Sequence, residues 1–217
     1  MKQYYSETDK THYYLLIEPE SRYQLQISME ERTNPSAHVT FRVPCSQDFL
    51  AVTGRDFEEY CEILGLDSVY HGYQHLEVGG GLSGFITHLA LSRNRRFRPI
   101  IIDPVNYNHL KGLLEYALQE RREILSEIDK KRLRTLLKRI EIIQDPNLVR
   151  LVNVRLSDAL HIHPDLIQSS DVVLDVYGPS YHHRTEIPNG TTGHALKIVT
   201  ELEQHLVKPG GHLIQHF

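Results

Sequence analysis

Residues 74–84 read QHLEVGGGLSG: a short apolar run passes straight into three glycines, with a fourth, Gly84, three residues on. Glycine allows a sharp turn and close approach of another backbone or a ligand, because it has no Cβ to clash. A helical pattern follows through Ser92, and its first N–H groups have no intrahelical partner. Strand, glycine turn and helix in that order constrain this part of the chain to an α/β fold with a crevice at the strand tip. The downstream sequence agrees. Pro99–Asp103 (PIIID), Leu148–Val154, Asp171–Val176 and His212–Phe217 are apolar runs suited to buried strands. Helical stretches separate them, at Asn106 to about Ile143 and at Thr191–Val207. Such alternation predicts a doubly wound, mostly parallel sheet with helices on both faces.

The glycine pattern admits two ligand classes. Gly79-x-Gly81-x-x-Gly84 satisfies a dinucleotide fingerprint, and GGGLSG is similar to the opening of flavin-dependent oxidases. The string Glu77-Val78-Gly79-Gly80-Gly81-Leu82-Ser83 also resembles the first motif of class I S-adenosylmethionine-dependent methyltransferases, with Ser83 in place of a third glycine. Three features favour the second resemblance. Glu77 stands two residues before Gly79, where dinucleotide enzymes usually keep an apolar residue. Leu206-Val207-Lys208-Pro209-Gly210-Gly211 resembles that family's turn before its fifth strand. A flavin oxidase would place the glycines near its N-terminus and need more chain after them.

The resemblance covers roughly Tyr73 to Phe217 and implies a Rossmann-like core binding S-adenosyl-L-methionine. By the same resemblance, Glu77 approaches the methionine ammonium, while Gly79, Gly80, Gly81 and Ser83 form the turn. Asp103, followed by Pro104, would accept hydrogen bonds from both ribose hydroxyls. Asp158 and the N–H of Ala159 would meet the adenine. Asp175 and the loop after it would line the methyl-transfer site. Asp103 could instead be a loop aspartate, and Ser157 or Asp158 a helix N-cap. Asp175 lacks the Pro-Pro pair of many amino-methylating members. On the acceptor side Tyr177, His182 and His183 are the candidates, since a histidine near its ordinary pKa can remove a proton from an oxygen nucleophile. No spacing completes a metal site. The expected activity is methyl transfer to an unidentified acceptor, with a small molecule preferred over protein or RNA. A non-catalytic binding or assembly subunit and a flavin or nicotinamide oxidoreductase fragment are the alternatives.

The first seventy residues have a different texture. Tyr13–Glu18, Arg22–Met29 and His38–Val43 are strand-like runs separated by turn residues, and Asp56–Leu64 reads as a short helix. Two domains are therefore expected: an antiparallel β-meander with a short helix at 1–70, and the Rossmann-like domain at 71–217 with a long helical insertion at about 106–143. The family's sheet has two further strands after the fifth, and this sequence stops at Phe217. Strands six and seven are expected to be absent. The meander is expected either to supply them or to cap the active site, and a homodimer through the long helix or the open sheet edge is a further expectation.

Composition bounds the partners. The chain has 217 residues, 24 Lys+Arg against 28 Asp+Glu, and a net charge of −4, which gives no global pull toward nucleic acid without excluding it. Basic residues of the long helical stretch (Arg121, Arg122, Lys130–Arg132, Arg134, Lys138, Arg139) are diluted by acids and read as a solvated face, as does the loop Arg93–Arg98. Two cysteines, Cys45 and Cys61, make no disulfide framework. The polar start lacks a signal core, and no run has the length of a membrane span. A cytoplasmic setting is expected.

Overall fold

Ile100–Ile102 places three β-branched residues in a row, all buried, as a strand covered on both faces requires. In the computed structural model it is the second strand of a five-stranded, all-parallel sheet. The structure describes residues 3–6, 11–19, 24–31, 38–44, 72–79, 85–91, 95–120, 125–176, 178–179 and 192–216. The sheet is built from β5 (His75–Val78), β6 (Ile100–Ile102), β7 (Arg150–Val152), β8 (Ser170–Val176) and β9 (Val207–His216). Their spatial order is β7-β6-β5-β8-β9. The chain winds outward from β5 to β7, then returns to the far side of β5 for β8 and β9. That reversal makes the carboxyl ends of β5 and β8 the topological switch point of the sheet, the place where parallel α/β sheets bind ligands.

The helices are α1 (Phe85–Leu91), α2 (Tyr107–Glu120), α3 (Glu127–Gln144), α4 (Leu156–Ile162) and α5 (Thr192–Leu206). One apolar layer joins α1, α2 and α3 to the face of the sheet carrying Ile101, Val172, Leu174 and Ile214. A second joins α4 and α5 to the face carrying Leu76, Val78, Ile102 and Val173. Alternate strand residues point to opposite faces, so both layers come from the same strands. In α2 the buried stripe is Leu110, Leu113, Leu114 and Ala117, and in α3 it is Leu133, Leu136, Ile140 and Ile143, as helical spacing demands.

The structure adds to several sequence expectations and corrects others. The long helical stretch at about 106–143 is two helices, α2 and α3. The second starts at an N-cap, Ser126, whose hydroxyl accepts the Asp129 N–H at 3.1 Å. Ile128, in the first turn of α3, falls on the outer side and is 65% exposed. Arg139, assigned to the solvated face, is buried beside the stripe. In the loop before β6, Arg96 and Arg98 are exposed, as a solvated loop requires, while Arg95 donates to the carbonyls of Leu148 and Asn147, and Arg98 to that of Pro146. These bonds tie the loop to the turn before β7. The Lys-Pro-Gly-Gly segment is not a turn ahead of the last strand but an irregularity within β9. There the pairing jumps from Ser170↔Val207 to Val172↔His212, with Gly210 at φ +80°.

The N-terminal strands are β1 (Gln3–Ser6), β2 (Thr11–Pro19), β3 (Gln24–Glu31) and β4 (His38–Pro44), one more than expected. They form an antiparallel meander in a sheet of their own. They do not complete the parallel sheet, in which β9 pairs with β8 alone among the described strands. The helix expected at Asp56–Leu64 lies outside the described residues.

Candidate functional site

Because every strand of the sheet is parallel, the acids at their tips gather along one edge. Glu77 is on β5, Asp103 directly follows β6, Asp158 lies in the first turn of α4 after β7, and Asp175 is on β8. Gly79 leaves β5 at φ +70° while its N–H still reaches the Ile102 carbonyl at 2.8 Å. A Cβ there would stand 2.7 Å from Pro179 Cδ and 2.9 Å from Gly178 Cα. One on Gly178 would stand 2.2 Å from the Val78 carbonyl oxygen and 2.6 Å from Asp175 Oδ1. The loops that follow the two central strands therefore touch backbone to backbone, and both contact positions need glycine. Gly80, Gly81, Ser83, Tyr177, His182 and His183 lie outside the described residues.

On the face toward α2 stands the first acidic cluster. Asp103 is 4% exposed. Its Oδ1 accepts the Val105 N–H at 2.9 Å, and its Oδ2 accepts the Tyr107 hydroxyl at 2.8 Å. Asn153, just past β7, donates from Nδ2 to the Asp103 and Val105 carbonyls, both at 2.7 Å, and so fixes this loop to its neighbour. Burial pushes the Tyr107 phenol well above its ordinary range, and the Asp103 carboxylate and then Glu77 push the same way. Tyr107 is thus a permanent donor between the acids of the first two strands. Glu77 is fully buried. Pro104 is exposed beside this cluster.

The opposite face, toward α5, holds the second. Asp175 Oδ1 accepts the Gly178 N–H at 2.7 Å. Glu203 of α5 is fully buried, and its Oε2 accepts Gln215 Nε2 of β9 at 2.7 Å. Gln215 also donates to Thr200 at 3.2 Å. Burial, then the adjoining Asp175 carboxyl, pushes Glu203 up to about 10, against a smaller opposing effect of Gln215. Glu203 is therefore a neutral acid at ordinary pH.

Near β7 the geometry changes one local reading. The N-cap of α4 is Arg155, without a side-chain bond, so Ser157 and Asp158 are inside the helix rather than capping it. Asp158 is exposed at the strand-tip edge and Ala159 is buried.

No protein-family model matches the sequence, and the comparison with curated proteins finds no match. Among solved structures, the fold is similar to the crystal structure of a spermidine synthase in complex with the transition state analogue AdoDATO. Identity is 14% and the TM-score 0.38. The match covers 89% of this chain and 55% of that one, so the chain spans about half the length of that protein.

Tyr107, Asn153, Glu203 and Gln215 were not singled out from sequence. For two of them a signal exists. Tyr107 precedes Leu110 and Leu114 on one helical stripe, and Glu203 continues the stripe of Ala195 and Val199. A polar group on an apolar stripe marks a buried partner on another element. Among the described residues, no three His, Cys, Asp or Glu side chains are placed to hold a metal, and no helix is long and apolar enough to cross a membrane.

Proposed function

We propose that this chain binds S-adenosyl-L-methionine at the β5–β8 switch point and serves as a methyltransferase for a small-molecule acceptor. The observation that carries the reading is the pair of strand-tip acids, Glu77 and Asp103, flanking a glycine turn where the winding of a parallel sheet reverses. The residues fit the group. Asp103 holds its own loop through both carboxylate oxygens, and a charged carboxylate at a strand tip is a strong acceptor for a ribose hydroxyl. Glu77 stands buried at the first strand tip, where the resemblance puts the methionine ammonium. The exposed Asp158 supplies an acceptor for an exocyclic amine; the Ala159 N–H, expected to meet the adenine, is instead donated to the Arg155 carbonyl at 3.0 Å.

When bound, the cofactor supplies a sulfonium methyl group to a nucleophile. The protein's part is to hold the partners in line and exclude water. Tyr177, His182 and His183 follow β8 directly and are the proposed acceptor-side residues, with a histidine taking the acceptor's proton. Asp175 anchors the root of that segment through Gly178.

Calorimetric titration with S-adenosyl-L-methionine and with its demethylated product tests the reading. Micromolar binding is expected, weakened roughly tenfold or more in Asp103→Asn, which loses a charge-assisted acceptor. A folded protein that binds neither compound would overturn it. Flavin and nicotinamide cofactors would then be titrated in the same way.

A further inference from the structure

Two carboxyl groups meet beneath the second central loop, where neither touches water. Asp175 and Glu203 are both fully buried, on β8 and α5 respectively. Glu203 receives one donor, Gln215 Nε2, on Oε2, and no N–H or hydroxyl donor reaches its Oε1. Asp175 is the cross-strand partner of Gln215 in the β8–β9 ladder, so its carboxyl lies on the face where Gln215 bonds Glu203. Two ionised carboxylates have no hydrogen to place between them and repel strongly in a dry setting. One proton turns the same contact into a strong charge-assisted bond. We propose that Asp175 and Glu203 hold a single proton between them, and that this proton keeps the Gly178–Pro179 turn seated on β5.

The mechanical link is short. The Asp175 oxygen that accepts the Gly178 N–H lies so close that a Cβ on Gly178 would stand 2.6 Å from it. Gly178 lies in turn against the Val78 carbonyl, and Pro179 against Gly79. Orientation of the Asp175 carboxylate therefore sets the position of the turn that leads into residues 180–191. Glu203 acts through Asp175 and is a positioning residue.

Gln215 and Thr200 are neutral. His194, Lys197, Glu201 and His205 of α5 are exposed, as are Asp158 and His161 of α4. Lys208 of β9 is held by Asp171 at the opposite end of the strands. His212 of β9 pairs with Val172, on the other face, and Glu77 also projects to that face, beside Leu174. Among the described residues only Asp175 adds charge to the Glu203 site, and the acid stays protonated up to about pH 10. The device is a lock across the neutral range rather than a sensor.

The inference stands apart from the ligand reading, and its test uses the full chain without ligand, so the failure of one leaves the other intact. Carboxyl carbons labelled with 13C are followed by NMR from pH 5 to 11, together with the Gly178 amide. The expected result is a Glu203 carboxyl in its protonated position at pH 7. A Gly178 amide shift should then move with the Glu203 titration at high pH. Glu203→Gln, which keeps a neutral donor for Asp175, should hold the wild-type Gly178 position and lose the titration step. A Glu203 that is ionised at pH 7 would overturn the shared proton. A Gly178 amide indifferent to the Glu203 titration would overturn the link to the turn.

Discussion

Gly178 and Gly193 make opposite demands. A methyl group on Gly178 would sit 2.2 Å from the Val78 carbonyl oxygen, a backbone atom with no room to yield, whereas one on Gly193 meets nothing within 4 Å. Gly178→Ala is expected to lose on the order of 3 kcal/mol or more in urea unfolding, in the range of overpacking strain. Gly193→Ala, in the first turn of α5, is expected to gain up to about 1 kcal/mol. Equal effects would mean that the two central loops are not in contact. Legibility at this scale follows the same division. Glu77, Gly79 and Asp103 were readable because chain order alone puts them at strand tips. Gly178, Tyr107 and Glu203 were not, because their roles come from atoms on other elements. What makes Gly178 indispensable is the Val78 carbonyl of the neighbouring strand, about a hundred positions earlier in the chain.

Helix α3 carries its own start signal. Ser126 accepts the Asp129 N–H, its hydroxyl donates to the Asp129 carboxylate at 2.6 Å, and Glu127 and Asp129 complement the positive end of the helix dipole. Ser126→Ala is expected to cost about 1 kcal/mol in chemical denaturation, with the helix retained by circular dichroism. A cost of several kcal/mol would mean that the segment does more than cap. Elements themselves were largely legible: each expected strand of the parallel sheet appears, the first three shortened, β8 one residue longer and β9 begun five residues earlier. Side-chain environments were less so. The Arg95 and Arg98 guanidinium groups looked solvated because their acceptors, carbonyls of residues 146–148, are about fifty positions away. Basic residues on an amphipathic stripe look alike in sequence, yet Arg139 is buried and Lys138 exposed, since one position rotates a side chain by about 100°.

For the molecule as a whole, the neutral Glu203 makes stability depend on pH in an unusual direction. Its carboxyl stands at about 10 in the fold against 4.5 as a free side chain, so between those values the folded state holds a proton that the unfolded state has lost. The contribution is complete below pH 4.5, declines as pH rises through the window, and levels off above about 10. Each pH unit inside the window is worth up to about 1.4 kcal/mol. Glu203→Gln should match the wild type near pH 4.5 and exceed it by a few kcal/mol at pH 7 in denaturant unfolding. A wild type whose stability relative to Glu203→Gln is flat across that range would contradict a neutral Glu203.

The reversed winding of the sheet also dictates when the switch point can exist. At the base of the central pair the Gln74 N–H bonds Asp171 Oδ2 at 2.7 Å, a contact between residues 97 positions apart. Closing a loop of that length costs roughly 4 kcal/mol of chain entropy before any contact rewards it. During synthesis at about 5–20 residues per second, β5 waits roughly 5–20 s for β8 to emerge. For most of that interval β5 has β6 alone to pair with, and β7 follows late, while the inner edge of β5 lies open and apolar. The nascent chain thus presents an unpaired strand edge at the place where the finished protein has its centre, and that edge is where a chaperone would bind or aggregation begin.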